Sequence, residues 1–426
     1  QSGRYRSSCP IAIRAWHTTD RMETALYLVW SVLGAAFAGA AWFPARRIGP
    51  LVPVYFFGAW IAGELALQLV VLHALVTVAF ASAGALASGA GVFALTLNLA
   101  ACGTLIACHL RSIDARDEVE SLARDEGWVL DTRISSTHGF ARPFHMKRPG
   151  VRRISDLEYG EVLERDKGGR NRIDVVLPEA TGQRCPVLLQ IHGGGWTIGN
   201  KEQQGGPLMG YLAERGWVCF AMNYRLSPRA VFPDHIVDVK RAIAWIRDHA
   251  DTYGADPEFI CVTGGSAGGH LTALAALTPN DPAFQPGFEA ADTRVAAAVP
   301  FYGVYDFLDR SGLRGSQSMQ PFLAKKVFQC QPDENPELWH AMSPIERVAA
   351  EAPPFLVIQG SHDSLVWADE ARDFAQTLRE KSQSPVHYLQ FPGGQHAFDT
   401  FHSVRSAYAV RAAAAFLESV RHQDRS

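Results

Sequence analysis

The sequence predicts a protein of the α/β class, with a mostly parallel sheet flanked by helices and an N-terminal region of transmembrane helices before it. From about Ile154, short runs rich in Val, Ile and Phe alternate with longer helical stretches such as 234–250 and 368–381. This alternation is typical of a parallel sheet that is covered on both faces. The chain before that point contains two long stretches that are almost free of charge.

Composition excludes some functions. The net charge is only -3, so no basic surface points to nucleic acid. The seven cysteines are scattered and form no C-x-x-C pair, which favours reduced thiols over disulfides or a zinc site. We expect no metal ion, no cofactor and no nucleic-acid partner.

The two uncharged stretches predict about three transmembrane helices within residues 24–110, after a tail of residues 1–23. Thr24–Phe43 contains no charged residue, and Leu51–Leu110 contains only Glu64 as a carboxylate and no Lys or Arg. A span needs about 20 apolar residues, so the second stretch has room for two. Helices in a soluble core normally show one polar face instead. We interpret Glu64 as a protonated side chain that faces the helix bundle.

Arginine positions predict the orientation of these spans. Arg46 and Arg47 in the first connection, and Arg111 and Arg116 after the third helix, lie on one side if there are three spans. Positive residues favour the cytoplasm, so a multi-pass protein whose C-terminal α/β part lies in the cytoplasm is expected. Four arginines in the tail argue for the opposite orientation unless translation begins at Met22: Arg4, Arg6, Arg14 and Arg21.

Residues 111–153 are expected to form a stalk and linker. The segment "RSIDARDEVESLARDEG" has mixed charge and good helix formers, which indicates a solvated helix. A linker or a segment resting on lipid headgroups follows, and we favour the linker. The α/β domain is expected to occupy residues 154–426.

The motif Gly264-Gly265-Ser266-Ala267-Gly268 matches G-x-S-x-G, between the strand-like "FICVT" and the helical "HLTALAAL". A serine on such a cramped strand-to-helix turn is exposed above the sheet and sits at a helix N-terminus. The sequence therefore predicts Ser266 as a catalytic nucleophile.

A serine needs a base, and sheets with this turn carry the acid and then the histidine later in the chain. His396 follows the last apolar run, and Asp363 follows the preceding one. His362 and Asp399 are neighbours of these two, but His362 reads as a loop residue and Asp399 comes after the histidine. The predicted triad is Ser266, Asp363 and His396, and kcat/KM should rise with pH through roughly 6 to 7 as the base becomes neutral.

The glycine run in "LQIHGGGWTIGN" calls for its own explanation. It lacks the G-K-[ST] ending of a phosphate-binding loop and the G-x-G-x-x-G of a dinucleotide site. Bare backbone N–H groups can instead bind the oxygen that becomes negative during acyl transfer. We expect Gly193, Gly194 and Ala267 to form this oxyanion hole.

Five motifs in this order, "HGGGW", "NYRLSP", "GGSAGG", "GSHDSLV" and "GGQHAFD", resemble the hormone-sensitive-lipase-type carboxylesterases. Within that group the chain is most similar to the membrane-anchored actinobacterial lipase/esterases. The resemblance spans roughly Glu158 to Val420. It implies an α/β-hydrolase fold with a helical cap, serine-dependent ester cleavage without a cofactor, and a structural role for His192.

The chain departs from this family at two points. Arg229 stands in "LSPRAVFP" where many relatives carry a carboxylate, and membrane spans replace the short N-terminal cap helices of soluble relatives. Cap structure is expected around residues 306–344. Four aromatic residues are candidates for an acyl pocket, with ordinary core packing as the alternative: Trp196, Tyr224, Tyr302 and Phe328.

The predicted function is a membrane-anchored serine carboxylesterase or lipase that acts on hydrophobic or lipid esters in contact with membrane lipids. Three alternatives stay open: an acyltransferase with the same triad, a non-catalytic hydrolase-like binding module, and a peptidase or amidase. The apparent presence of every triad and oxyanion residue argues against the binding module. The sequence does not predict the oligomeric state.

Overall fold

The computed structural model describes residues 11–45, 49–131, 141–161, 169–180, 182–315 and 318–424, except for the side chains of residues 11–21 and 50. Residues 132–140 of the predicted linker after the stalk helix lie outside these ranges. The predicted orientation depends on six arginines that are also not described in full. Arg4, Arg6, Arg46 and Arg47 lie outside the ranges, and the side chains of Arg14 and Arg21 are not described. The chain divides into two compact units, Gln1–Arg111 and Ser112–Ser426.

The first unit is helical. Its helices are α1 (Ile11–Trp42), α2 (Val52–Glu64), α3 (Ala66–Ser82) and α4 (Gly89–Ile113). Two stretches, Met22–Trp42 and Gly89–Asp125, are long and apolar enough to cross a membrane. The predicted middle span is instead a pair of helices, α2 and α3, bent by 93°. Glu64 ends α2 at this bend and is buried, as expected for a side chain that faces the bundle.

A buried polar cluster joins three of these helices. The Nδ1 atom of His73 on α3 lies 3.0 Å from Nε1 of Trp30 on α1 and 2.6 Å from Oδ1 of Asn98 on α4. Asn98 also donates to Thr77 on α3 (2.7 Å). Between apolar helices that are surrounded by lipid, the hydrophobic effect does not favour one arrangement over another. Hydrogen bonds of this kind can then fix the register of the helices.

The second unit is built on one eight-stranded sheet with the order β1-β2-β4-β3-β5-β6-β7-β8. Strands β1, β2 and β4 pair antiparallel, and all other neighbours pair parallel. The strands are β1 (Val151–Glu158), β2 (Arg172–Pro178), β3 (Cys185–Ile191), β4 (Val218–Met222), β5 (Ala255–Gly265), β6 (Ala297–Phe301), β7 (Phe355–Gly360) and β8 (Val386–Phe391). The mostly parallel sheet predicted from the sequence is therefore confirmed.

Helices cover both faces of this sheet. The helices described in the second unit are α5 (Ala115–Asp125), α6 (Gly206–Ala213), α7 (Asp234–Asp248), α8 (Ala250–Tyr253), α9 (Ala267–Leu277), α10 (Gln320–Leu323), α11 (Pro336–Met342), α12 (Ala368–Lys381) and α13 (Val404–Asp424). Alternate residues of β3 enter two separate hydrophobic clusters, Leu189 and Ile191 on one face and Leu188 on the other. This double burial explains why the strand is apolar at nearly every position.

Helix α5 differs from the solvated stalk that the sequence predicts. Ala115 and Val119 are buried in the hydrophobic cluster that also contains Phe416 of α13. Only the other face carries charge, where Arg116 and Glu120 form an ion pair (2.8 Å). The mixed charge of the segment obscured the four-residue spacing of the small apolar positions. That spacing gives the helix one apolar face, which packs into the core of the second unit.

Candidate active site

Ser266 lies on the tight turn between β5 and α9 that the sequence predicts. Its backbone has φ 59° and ψ -122°, a region that non-glycine residues rarely adopt. The turn is held because Ser266 N donates to Phe301 O (3.0 Å) and its carbonyl accepts from His270 N (2.9 Å). A Cβ added to Gly268 would lie 2.1 Å from Ile191 O, and one on Gly264 would lie 2.4 Å from the same atom. The small neighbours are therefore required by contact with β3.

Asp363 and His396 are in direct contact. His396 Nδ1 lies 2.7 Å from Asp363 Oδ2, and both residues are buried. The other carboxylate oxygen, Oδ1, accepts from the N–H groups of Leu365 (2.9 Å) and Val366 (2.8 Å). Asp363 follows β7 and His396 follows β8, so both lie at the carboxyl edge of the sheet, as Ser266 does. A carboxylate fixed in this way can hold an imidazole in one tautomer and orientation.

The alternatives to this pair have other contacts. Asp399 accepts a hydrogen bond from the hydroxyl of Tyr302, and His362 is a turn residue whose N–H donates to Gly394 O (2.9 Å). The Tyr302 ring packs against His396 with 4.6 Å between centroids. Burial and the Asp399 carboxylate raise the pKa of Tyr302 well above its usual value, so this hydroxyl stays protonated as a donor.

Tyr302 also reaches the serine turn. A Cβ on Gly265 would lie 2.6 Å from Tyr302 Cε2, so the ring lies between the turn that carries Ser266 and the imidazole of His396. The sequence offered Tyr302 as pocket lining or core. In the structure its ring lies against Gly265, next to the predicted nucleophile, and against the imidazole of His396, the predicted base.

The glycine loop begins with His192, whose contacts are structural. Its ring stacks on Tyr224 (4.4 Å between centroids), and its carbonyl accepts from the Tyr224 hydroxyl (2.9 Å). The Nδ1 atom lies 2.7 Å from the carbonyl oxygen of Gly193. Burial lowers the pKa of His192 to about 4, so the ring is neutral at pH 7 and orders the loop.

The remaining peptide groups of the loop show which N–H groups are open to a substrate. Gly193 N–H donates to Gln204 Oε1 (2.7 Å), and Gly194 O accepts from Thr197 N and Ile198 N (both 3.1 Å). Within the described part of the chain, no acceptor lies on the N–H groups of Gly194, Gly195 or Ala267.

The predicted oxyanion set therefore needs a correction at Gly193, because its N–H is already paired. The open pair in the loop is displaced by one residue to Gly194 and Gly195, which both have positive φ (119° and 57°). The sequence contained the third glycine but gave no reason to choose between the three. Gln204 was missed altogether, since a glutamine in a polar loop carries no motif.

The region predicted to form a cap lies between β6 and β7 and includes α10, the π-helical turn Ala324–Phe328 and α11. Phe328 stacks on Trp339 (3.9 Å between centroids), and both belong to a buried cluster with Trp196. Among the four pocket candidates, Trp196, Tyr224 and Phe328 are thus core aromatics. Phe322 on α10 is 44% exposed, and its ring lies 3.6 Å from a Cβ built on Gly195.

Arg314 ties the predicted cap region to α12 and to the loop that contains Asp363. Arg314 Nε lies 2.7 Å from Glu370 Oε1, with both side chains buried. The same guanidinium donates from Nη2 to the carbonyl of Leu365 (3.0 Å), two residues after Asp363. In the described ranges, no group of three or more His, Cys, Asp or Glu is arranged to hold a metal ion.

A mostly parallel sheet that presents a serine turn, a carboxylate and a histidine at the ends of β5, β7 and β8 defines the α/β-hydrolase class. A family model described as BD-FAE matches residues 173–378. LipM of Mycobacterium tuberculosis, a probable carboxylic ester hydrolase, is 47% identical over 314 residues, which are 70% of this chain and 71% of LipM. The chain belongs to the hormone-sensitive-lipase-like family of carboxylic ester hydrolases.

Two further comparisons agree with this assignment. The esterase LipQ of the same organism is 48% identical over 266 residues, or 62% of this chain and 61% of LipQ. The butyrate-bound structure of the thermophilic esterase Est2 from Thermogutta terrifontis superimposes with a TM-score of 0.52 at 27% identity. That alignment covers 64% of this chain and 95% of Est2.

Proposed function

We propose that the protein is a membrane-anchored serine carboxylesterase that hydrolyses hydrophobic carboxylic esters through an acyl-enzyme. The observation that carries this proposal is the 2.7 Å contact between Asp363 and His396, at the same edge of the sheet as the Ser266 turn. The names of LipM and LipQ support ester hydrolysis.

In the proposed reaction, Ser266 Oγ attacks the ester carbonyl carbon while His396 Nε2 takes the hydroxyl proton. Asp363 keeps Nδ1 protonated and stabilises the imidazolium. The C–O bond to the alcohol then breaks, and His396 returns the proton to the leaving alcohol. Water repeats the attack on the acyl-enzyme, which releases the acid and restores Ser266. The open N–H groups of Gly194, Gly195 and Ala267 are the proposed donors to the tetrahedral oxyanion.

Two exposed apolar side chains support a hydrophobic substrate. Ile198 is 69% exposed and Phe322 is 44% exposed, and both adjoin the glycine loop. A Cβ on Gly194 would lie 3.2 Å from Ile198 Cγ1, and one on Gly195 would lie 3.6 Å from Phe322 Cζ. An apolar lip beside the nucleophile favours an acyl or alcohol group with a hydrocarbon chain.

The membrane part of the proposal rests on the helices of the first unit. We infer a multi-pass anchor within residues 24–110, with the bent pair α2–α3 as its middle element and a catalytic unit on the cytoplasmic side. Arg111, whose guanidinium lies over the Trp42 ring (3.6 Å), and Arg116 supply the positive charge. The catalytic region begins with α5, and the cap occupies 306–344. Cysteine labelling of intact cells at an exposed engineered position of the second unit tests the side.

The first test is hydrolysis of a p-nitrophenyl ester series, from acetate to palmitate, by the detergent-solubilised chain. Ser266→Ala should abolish activity, whereas Ser311→Ala, at an exposed serine, should keep it. The chain-length optimum distinguishes esterase from lipase. Candidate alcohols added to the assay reveal acyl transfer as a second product. A folded wild type without activity would contradict the proposal and favour a binding module.

A further inference from the structure

The side chain of Gln204 is directed into the glycine loop by rigid neighbours. Gly205 has φ +73° and lies so close to Gln190 that an added Cβ would be 2.4 Å from Gln190 Cδ. Gln190 is itself buried in β3. Gly205 also begins α6, where its carbonyl accepts from Met209 N (2.9 Å). The backbone of residue 204 is thus fixed between the end of β3 and the start of α6.

From this position, Gln204 Oε1 accepts the Gly193 N–H at 2.7 Å. The other end of the same peptide group, the His192 carbonyl, accepts from the Tyr224 hydroxyl at 2.9 Å. A peptide plane that is held on both sides cannot rotate about its neighbouring bonds. The next N–H along the chain, that of Gly194, belongs to the peptide whose carbonyl oxygen, Gly193 O, lies 2.7 Å from His192 Nδ1. It therefore leaves a loop that is held on both sides, and no acceptor in the described ranges contacts it.

We propose that Gln204 is the positioning residue of the oxyanion hole. Its amide oxygen holds the Gly193 N–H, so that the N–H groups of Gly194 and Gly195 stand ready for the oxyanion. Gln204 itself does not touch the substrate. This inference rests on the proposed ester hydrolysis and adds a residue that no motif identifies.

The physical reason for an effect on rate is preorganisation. Donors that are already oriented stabilise a developing charge without reorganising during the reaction. If the Gly193 N–H loses its acceptor, the His192–Gly193 peptide is held only through the Tyr224 hydroxyl, and the donors that follow it are less firmly oriented. The ester ground state needs little from these donors, so kcat should fall while KM changes little.

The test compares Gln204→Met with Gln203→Met in the full-length chain. Methionine keeps the side-chain length but cannot accept the hydrogen bond. Gln203 is the matched control, because it is exposed and its Oε1 also accepts one backbone N–H, that of Asn200 (3.2 Å). The readouts are kcat and KM for p-nitrophenyl butyrate, thermal stability, and inhibition by an alkyl trifluoromethyl ketone. That inhibitor forms a hemiketal oxyanion on Ser266.

We expect Gln204→Met to lower kcat by roughly 10- to 100-fold with KM within about twofold, and to weaken ketone binding by a similar factor. Gln203→Met should match the wild type. A kcat within twofold of wild type in Gln204→Met, or a lower kcat with unchanged ketone affinity, would overturn the inference. If Gln204→Met fails to fold, Gln204→Asn, which keeps the amide but is too short to reach Gly193, serves in its place. Loss of the proposed function itself would appear differently, as a wild type no more active than Ser266→Ala.

Discussion

At the scale of single residues, two carboxylates lie near His396, the proposed base, and their contacts distinguish their expected roles. Asp363 touches the His396 imidazole, while Asp399 binds the Tyr302 hydroxyl. Both are aspartates in loops that follow β7 or β8, and both are within a few residues of a histidine in the sequence. The hydrogen bonds give each one a different expected effect on the rate.

Asp363→Asn should lower kcat by about 10³- to 10⁴-fold, because an amide in place of Oδ2 favours the wrong imidazole tautomer. Asp399→Asn is the matched control and should keep kcat within about tenfold of wild type. Steady-state kinetics on p-nitrophenyl butyrate measures both variants. A larger loss of kcat in Asp399→Asn than in Asp363→Asn would show that the acid is Asp399 and not Asp363.

Phe322→Ala should reduce kcat/KM for long-chain esters and leave the acetate ester nearly unchanged. Phe322 offers apolar surface beside Gly195, and each methylene that loses such contact costs up to about 0.8 kcal/mol. Phe144→Ala is the control, since Phe144 is more exposed (66%) and packs against Phe401 instead. If the two variants have the same dependence of kcat/KM on chain length, Phe322 does not contact the hydrocarbon chain of the substrate.

The proposed catalytic residues could be predicted from the sequence, whereas the proposed positioning residue Gln204 could not. Ser266, Asp363 and His396 stand in short motifs at strand ends, where the order of elements restricts the choice. Gln204 acts on Gly193 through a turn that only the approach of Gly205 to Gln190 creates. Such a contact depends on the folded backbone and not on a sequence motif, so a single sequence does not reveal it.

At the scale of elements, buried histidines make the packing around the site sensitive to acid. Burial lowers the pKa of His192 to about 4 and those of His235 and His270 to about 3. His270 lies on α9 and its Nε2 is 2.8 Å from the carbonyl of Met342 at the end of α11, so it joins the nucleophile helix to the cap.

The free energy of unfolding should fall as the pH is lowered from about 6.5 to 4. In this window the unfolded chain binds protons that the folded chain excludes, so stability is fully present above about 6.5 and is lost below it. Each histidine contributes a slope of about 1.4 kcal/mol per pH unit. Urea unfolding at pH 7, 6 and 5 should show a smaller slope for His270→Gln and an unchanged slope for the exposed His340→Gln. Identical slopes in all three proteins would contradict this account.

Two elements differ from their sequence predictions for physical reasons. Helix α5 has too few apolar residues to look buried, yet Ala115 and Val119 are small enough to lie close against α13. The middle apolar stretch is long enough for one span, but hydropathy carries no information on direction, and the chain turns by 93° after Glu64. The strand ends that carry the motifs, by contrast, follow from the strand–helix alternation and the order of the motifs.

At the scale of the whole molecule, the packing predicts where the catalytic unit begins. A chain of residues 112–426 should be recovered as a soluble protein with kcat/KM for p-nitrophenyl acetate within about threefold of the full-length chain. A chain of residues 154–426 should not, because it lacks α5 and exposes the apolar surface around Phe416. Solubility and specific activity measure both, with Ser266→Ala in the longer piece as the blank. Equal behaviour of the two pieces would show that α5 is dispensable.

The anchoring of the glycine loop has a consequence for sequence variation. Its supports come from three separate parts of the chain: the Tyr224 region after β4, Gln204 before α6, and His192 at the end of β3. A substitution at any of them reaches the same two N–H groups without disturbing Ser266, Asp363 or His396. Differences in turnover between relatives with identical triads should therefore be sought first at position 204 and at positions 223–225.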